Sequence, residues 1–137
     1  MRFMMLMIPK GYEKAEPTAM PSAEMIAEMM KYNEALTKAG VLLALDGLHP
    51  PSKASRLVFS NGRKPTVLDG PFAEAKEAIG GYWLLQVKSK AEALEWASRC
   101  PAQEGDVIEL RQVQDLSDFP PENLPKISPE LSKLSPQ

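Results

Sequence analysis

The chain has 137 residues, 44% of them hydrophobic and 25% charged, with sixteen basic against eighteen acidic side chains. A chain of this size and usage forms one domain and can bury a core without disulfides or a structural metal. The net charge of −2 and the lack of any Lys/Arg-rich run argue against a general nucleic-acid or anionic-membrane surface, and no apolar stretch approaches the roughly 20 residues that cross a bilayer. The sole cysteine, Cys100, cannot form an intrachain bridge, which fits a reducing, cytoplasmic setting.

Residues 1–8, Met-Arg-Phe-Met-Met-Leu-Met-Ile, begin like a signal peptide but stop at Pro9-Lys10-Gly11 with no small-residue cleavage pattern, so a buried strand is expected. Residues 9–21 read as a loop. Ser22 is placed to cap a helix over about 22–39, with Met25, Ile26, Met29, Met30, Leu36 and Ala39 near a 3.6-residue period and Gly40 as its stop. Val41 to Leu45 is an apolar run, read as a strand that ends before Pro50-Pro51. Residues 56–59 and 65–68 flank Ser60-Asn61-Gly62-Arg63 and predict a β-hairpin. After the turn Asp69-Gly70-Pro71-Phe72, residues 73–78 suggest a short helix stopped by Gly80-Gly81. Residues 82–87 form an aromatic and branched strand, and Ser89 caps a second helix with a stripe of Ala93, Leu94, Trp96 and Ala97 that ends near Cys100-Pro101. Residues 107–113 alternate as a last strand.

From residue 115 onward the chain carries Pro120, Pro121, Pro125, Pro129 and Pro136 between short polar stretches. The division expected is a domain over 1–114 and a Pro-rich C-terminal tail over 115–137. The tail is either an extended, partly ordered extension or a docked one, with Phe119, Leu124, Ile127, Leu131 and Leu134 as anchors and Phe119 to Ile127 packed on the body or on a second copy.

Without the hairpin, the order is strand, helix, strand, strand, helix, strand. This is the ferredoxin-like split βαβ pattern of an α+β fold, with a β-hairpin inserted. Two helices cover one side of such a sheet, so packing two sheets face to face in a homodimer is the economical way to cover the other. The eight methionines all lie within the first thirty residues, where core filling is their expected role.

Several blocks together resemble the DGPF branch of the YCII-related family. They are Arg2-Phe3-Met4-Met5-Leu6-Met7, Ala39-Gly40-Val41-Leu42, Gly47-Leu48-His49-Pro50-Pro51, Asp69-Gly70-Pro71-Phe72-Ala73-Glu74-Ala75-Lys76-Glu77 with Gly80-Gly81-Tyr82-Trp83, and Ile108-Glu109-Leu110-Arg111-Gln112-Val113. The resemblance spans about residues 1–114. It implies a dimeric α+β barrel of ferredoxin-like subunits and, because genes of this branch often accompany extracytoplasmic-function sigma factors, a sigma factor as a partner. It also implies a His/Asp pair in a cleft, as in some members of the broader family. In many of those relatives the histidine lies on the first helix. Here that helix offers Tyr32, Asn33, Glu34 and Lys38 but no histidine.

The family's pair therefore does not carry over as it stands, and the candidate catalytic residues are His49, a substitute in a different place, and Asp69. His49 is the sole histidine, the residue type suited to proton transfer at neutral pH, and it stands at a strand end where it could equally be satisfied by backbone. Asp69 either orients His49 or holds its own turn through backbone N–H groups. Phe72, Glu74, Lys76 and Arg111 are the candidate ligand-binding residues, gathered at the turn and on the last strand. Glu74 and Glu77 would share a helical face, but two carboxylates beside one histidine are not a diagnostic metal set, and neither a metal nor a cofactor is expected. No Gly-x-Gly-x-x-Gly, phosphate loop or Gly-x-Ser-x-Gly occurs. Two functions stand open: a small-molecule-binding protein, or one accessory to a sigma factor, with its pocket between the sheet and the Asp-Gly-Pro-Phe turn; and a cofactor-free lyase or isomerase moving a proton through His49 and Asp69.

Overall fold

The computed structural model describes residues 1–125. Its elements in chain order are β1 (Arg2–Ile8), α1 (Ala23–Lys38), β2 (Leu42–Gly47), β3 (Ser55–Val58), β4 (Thr66–Asp69), β5 (Gly81–Gln86), α2 (Lys90–Ser98) and β6 (Val107–Gln112). Strands β2, β5, β1 and β6 form, in that order, one four-stranded antiparallel sheet, while β3 and β4 pair separately. The expected α+β fold with its inserted hairpin is what the chain adopts.

Register decides which side chains meet the helices. Directly opposed residues share a face, and the pairs Phe3 with Leu85, Met5 with Trp83, and Met5 with Leu110 lie on the helix side. These residues form the core with Met7, Tyr32, Leu36, Val41 and Ala93. Met4, Leu6, Tyr82, Leu84, Glu109 and Arg111 point to the opposite, open face. The methionines divide accordingly: Met5 and Met7 are core, Met29 packs against it, and Met20 and Met30 stand in solvent.

Both long helices start where their caps dictate. Ser22 accepts a hydrogen bond from the Met25 N–H at 3.2 Å, and Ser89 accepts one from the Glu92 N–H at 3.1 Å. Helix α1 buries Tyr32 and Leu36, while Ile26 and Met30 of the anticipated stripe are exposed. On α2, Leu94 likewise faces solvent and Ala93 is its one buried residue. Tyr32 can be core because its hydroxyl donates to the Trp96 carbonyl at 2.7 Å, and its ring meets Trp83 edge-on at 5.9 Å.

The short helix expected over 73–78 is absent. That segment holds one turn, closed by the Ala75 N–H donating to the Phe72 carbonyl at 3.0 Å. The eight residues between Pro71 and Gly80 are too few to offset the cost of nucleating a helix that packs on nothing. The argument that Glu74 and Glu77 share a helical face lapses with it. The hairpin forms, but through a seven-residue connection, 59–65, in which Gly62 takes a left-handed φ of 68° and Asn61 does not.

Past β6 the chain makes two 3-10 turns, Leu116–Asp118 and Pro121–Asn123. Leu116 and Leu124 are half-buried and Phe119 is exposed. The anticipated anchors Ile127, Leu131 and Leu134 lie outside the described residues. Among the described residues, no helix is long and apolar enough to cross a membrane.

Candidate functional site

Three loop segments converge at one end of the sheet. The first is the 3-10 turn Tyr12–Lys14, entered through Gly11 at a left-handed φ of 78°. It is tied down by the Tyr12 hydroxyl, which donates to the Leu48 carbonyl. Burial around that phenol raises its pKa above the ordinary tyrosine value. The second is the 3-10 turn Pro51–Lys53, whose Ser52 hydroxyl donates to the Ala15 carbonyl at 3.4 Å.

The third segment is Asp69-Gly70-Pro71-Phe72, and its polar contacts among the described residues are architectural. The Asp69 Oδ1 accepts from the Ser55 hydroxyl at 2.8 Å, closing the base of the hairpin where Ser55 and Asp69 are register partners. The Gly70 N–H donates to the Ala54 carbonyl at 2.8 Å. A Cβ on Gly70 would sit 1.8 Å from the Pro51 carbonyl oxygen, so only glycine lets the two loops approach this closely. Pro71 follows through a cis peptide bond. The Arg56 guanidinium lies over the Phe72 ring, 3.9 Å from its centroid, and fixes that ring from the hairpin side.

These three segments line an open cleft of about 570 Å³. Pro17, Pro71, Phe72, Ala73 and Ala75 make its apolar walls, while Glu13, Lys14, Glu16 and Ser52 supply polar groups. Another concavity, about 380 Å³, is a shallow groove between α1 and the edge strand β2, lined by Met30, Asn33, Thr37, Lys38, Leu42 and Leu45.

Of the six candidate residues, Phe72 alone lines the cleft. His49 is exposed beside the buried Pro50, and among the described residues it makes no hydrogen bond to Asp69, which is occupied by Ser55. Glu74 and Lys76 point away on an exposed stretch. Arg111 lies on the open sheet face, its Nε 3.8 Å from Glu109 Oε2 in a solvent-exposed pair. Glu13, Lys14, Glu16 and Ser52 were not singled out from sequence. Their one signal was the set of proline turns at Pro17, Pro50-Pro51 and Gly70-Pro71, and sequence does not tell that these turns meet.

Elsewhere, the open sheet face carries one more polar pair, Tyr82 and Asp46, at 2.6 Å. The hydrogen bond to the carboxylate, more than burial, raises the Tyr82 pKa. Cys100 is half-buried, and burial, with a smaller push from the Asp106 charge, raises its thiol to about 11. Among the described residues no three His, Cys, Asp or Glu side chains cluster as a metal set would.

The model of the YCII-related domain matches residues 1–117, most of the chain. The chain belongs to the YCII-related domain family. It is also similar to an uncharacterized protein of Rhizobium meliloti (strain 1021), 39% identical over 74 residues. That stretch is 54% of this chain and spans 56%, about half, of the relative's length. The YCII-related domain therefore takes in the whole four-stranded sheet, both helices and the cleft, together with the start of the turn at Leu116–Asp118.

Proposed function

We propose that this YCII-related protein is a homodimeric small-molecule-binding protein whose ligand occupies the cleft between the Tyr12–Lys14 turn and the Asp-Gly-Pro-Phe segment. The observation that carries the reading is the cleft itself: a concavity of ligand size with apolar walls at Pro17, Pro71 and Phe72 and a few convergent polar groups. Its polar groups carry both signs, Lys14 against Glu13 and Glu16, which suits a small molecule with an apolar or aromatic body and a polar end. The single thiol of Cys100 supports a reducing, cytoplasmic setting. Should the protein serve beside a sigma factor, as resemblance to the DGPF branch implies, the bound molecule would be its signal. Proton transfer by His49 and Asp69 draws less support, because Asp69 is held by Ser55 and both side chains are exposed.

The test is a thermal-shift screen against a metabolite library, followed by titration of any hit against the Phe72→Ala and Lys14→Ala variants. Losing the Phe72 ring should weaken a true cleft ligand by about tenfold, since a buried apolar side chain of this size contributes about 1.5–3 kcal/mol. A hit whose affinity is unchanged by both variants binds elsewhere and refutes the assignment.

A further inference from the structure

The hairpin β3–β4 stands apart from the other described strands, because all eight of its strand residues are exposed and it pairs with no strand of the main sheet. An isolated two-stranded ribbon is marginal in water and needs a third layer to hold it. Its base is held from outside by the Phe72 ring under Arg56, and within the ribbon by the cross-strand bond of Ser55 with Asp69. The rest is apolar and bare. Leu57 and Val67 are register partners on one face, 54% and 60% exposed, and Phe59 just beyond the strand is 75% exposed. Val58 and Leu68, on the face that carries Arg56, are exposed as well.

On the Leu57/Val67 face, those two side chains and Phe59 leave roughly 350 Å² of surface in water, within the range of the largest patch a soluble monomer exposes, about 300–600 Å². A stable interface takes about 800 Å² from each partner. The hairpin face supplies a little under half of that, and the open face of the main sheet offers a second strip at the half-buried Met4, Leu6 and Leu84. A two-fold contact covers both surfaces of both copies at once, because each copy presents the same pair of complements. A foreign partner on the hairpin would leave the sheet bare.

We infer that the β3–β4 hairpin is an intersubunit arm, whose Leu57/Val67 face packs against the body of a second copy of this chain. The Arg56 face remains with its own subunit, where the guanidinium holds Phe72. This inference rests on the homodimer proposed above and adds where its interface lies.

The experiment compares the full chain with the double variant Leu57→Ser, Val67→Ser by light scattering across a concentration series. Both positions are exposed in the single chain, so the variant monomer should keep the parent far-ultraviolet dichroism. The parent should be a dimer at micromolar concentration, and the variant's dimer dissociation constant should rise by about a hundredfold, as expected for two interface side chains each worth about 1.4 kcal/mol. A photo-crosslinking amino acid in place of Phe59 gives an independent readout in the full chain, expected to join two copies. A parent that is monomeric overturns both the dimer and the arm. A parent that dimerises while the double variant keeps the same dissociation constant, or a Phe59 crosslink found only within one chain or to another macromolecule, overturns the arm and leaves the dimer standing.

Discussion

The Asp-Gly-Pro-Phe residues look like a catalytic signature in sequence, yet their contacts divide into mechanical tasks. Asp69 ties the hairpin base, Gly70 lets two loops meet, and Phe72 forms a cleft wall. The order of damage on substitution follows from this division. Asp69→Ala removes one solvent-exposed hydrogen bond to Ser55 and should cost about 1 kcal/mol in chemical denaturation. Gly70→Ala drives a methyl group into the Pro51 carbonyl and should cost about 3 kcal/mol, with loss of the cleft as well. The reverse order would mean that Asp69 does something its recorded contact does not explain. Cys100 offers a pH-dependent check on burial. With its thiol raised to about 11, the reactive thiolate is scarce near pH 8, so alkylation by iodoacetamide there should run about a hundredfold slower than for a free thiol. The rate should climb as pH approaches 11. The linkage has a matching sign: unfolding restores an ordinary thiol, so stability present below about pH 9 is lost as pH rises through the folded value. Alkylation at pH 8 as fast as that of glutathione would show Cys100 to be exposed.

The helices and strands were legible in sequence to the extent that local chemistry sets them. Ser22 and Ser89 announce their helices because a capping hydroxyl satisfies an orphan N–H within three residues, and both bonds are present. The order of elements pointed to the split βαβ sheet, since connection rules leave few other arrangements. The failures occur where tertiary contacts decide. Tyr32 reads as polar on a helix, but a carbonyl from α2 receives its hydroxyl, and that carbonyl is 64 residues away. Residues 73–78 have helix-forming composition, but their neighbours Pro71 and Gly80 leave too short a span, and no partner surface rewards a helix there. The cleft shows the limit most clearly. Its walls come from three loops separated by dozens of residues, and only Phe72 belonged to a motif that could be noticed beforehand. Loops without periodicity carry no sequence record of what they touch.

For the molecule as a whole, the open question in sequence was whether the Pro-rich segment after β6 is part of the fold. Its first residues are. Arg2, at the start of the central strand β1, is almost wholly buried, and its guanidinium reaches Asp115 at 2.8 Å and the Gln114 carbonyl at 3.4 Å. Its Nε has no hydrogen-bond partner among the described residues, so the Asp115 carboxylate carries most of what compensates this buried cation. Leu116 and Leu124 add half-buried apolar contacts beyond it. Truncation after Val113 therefore removes both the ion-pair partner and apolar cover, whereas Asp115→Ala removes only the former. We expect Asp115→Ala to cost roughly 2 kcal/mol, the usual worth of a hydrogen bond to a charged group, and to lower the melting temperature by about 5–10 °C. The truncated chain should fall further while keeping its dichroism spectrum, because the sheet and both helices precede the cut. The pair of variants separates the two contributions: equal losses would assign the whole effect to the ion pair. A truncated chain that melts with the parent would show that water, not the tail, compensates Arg2.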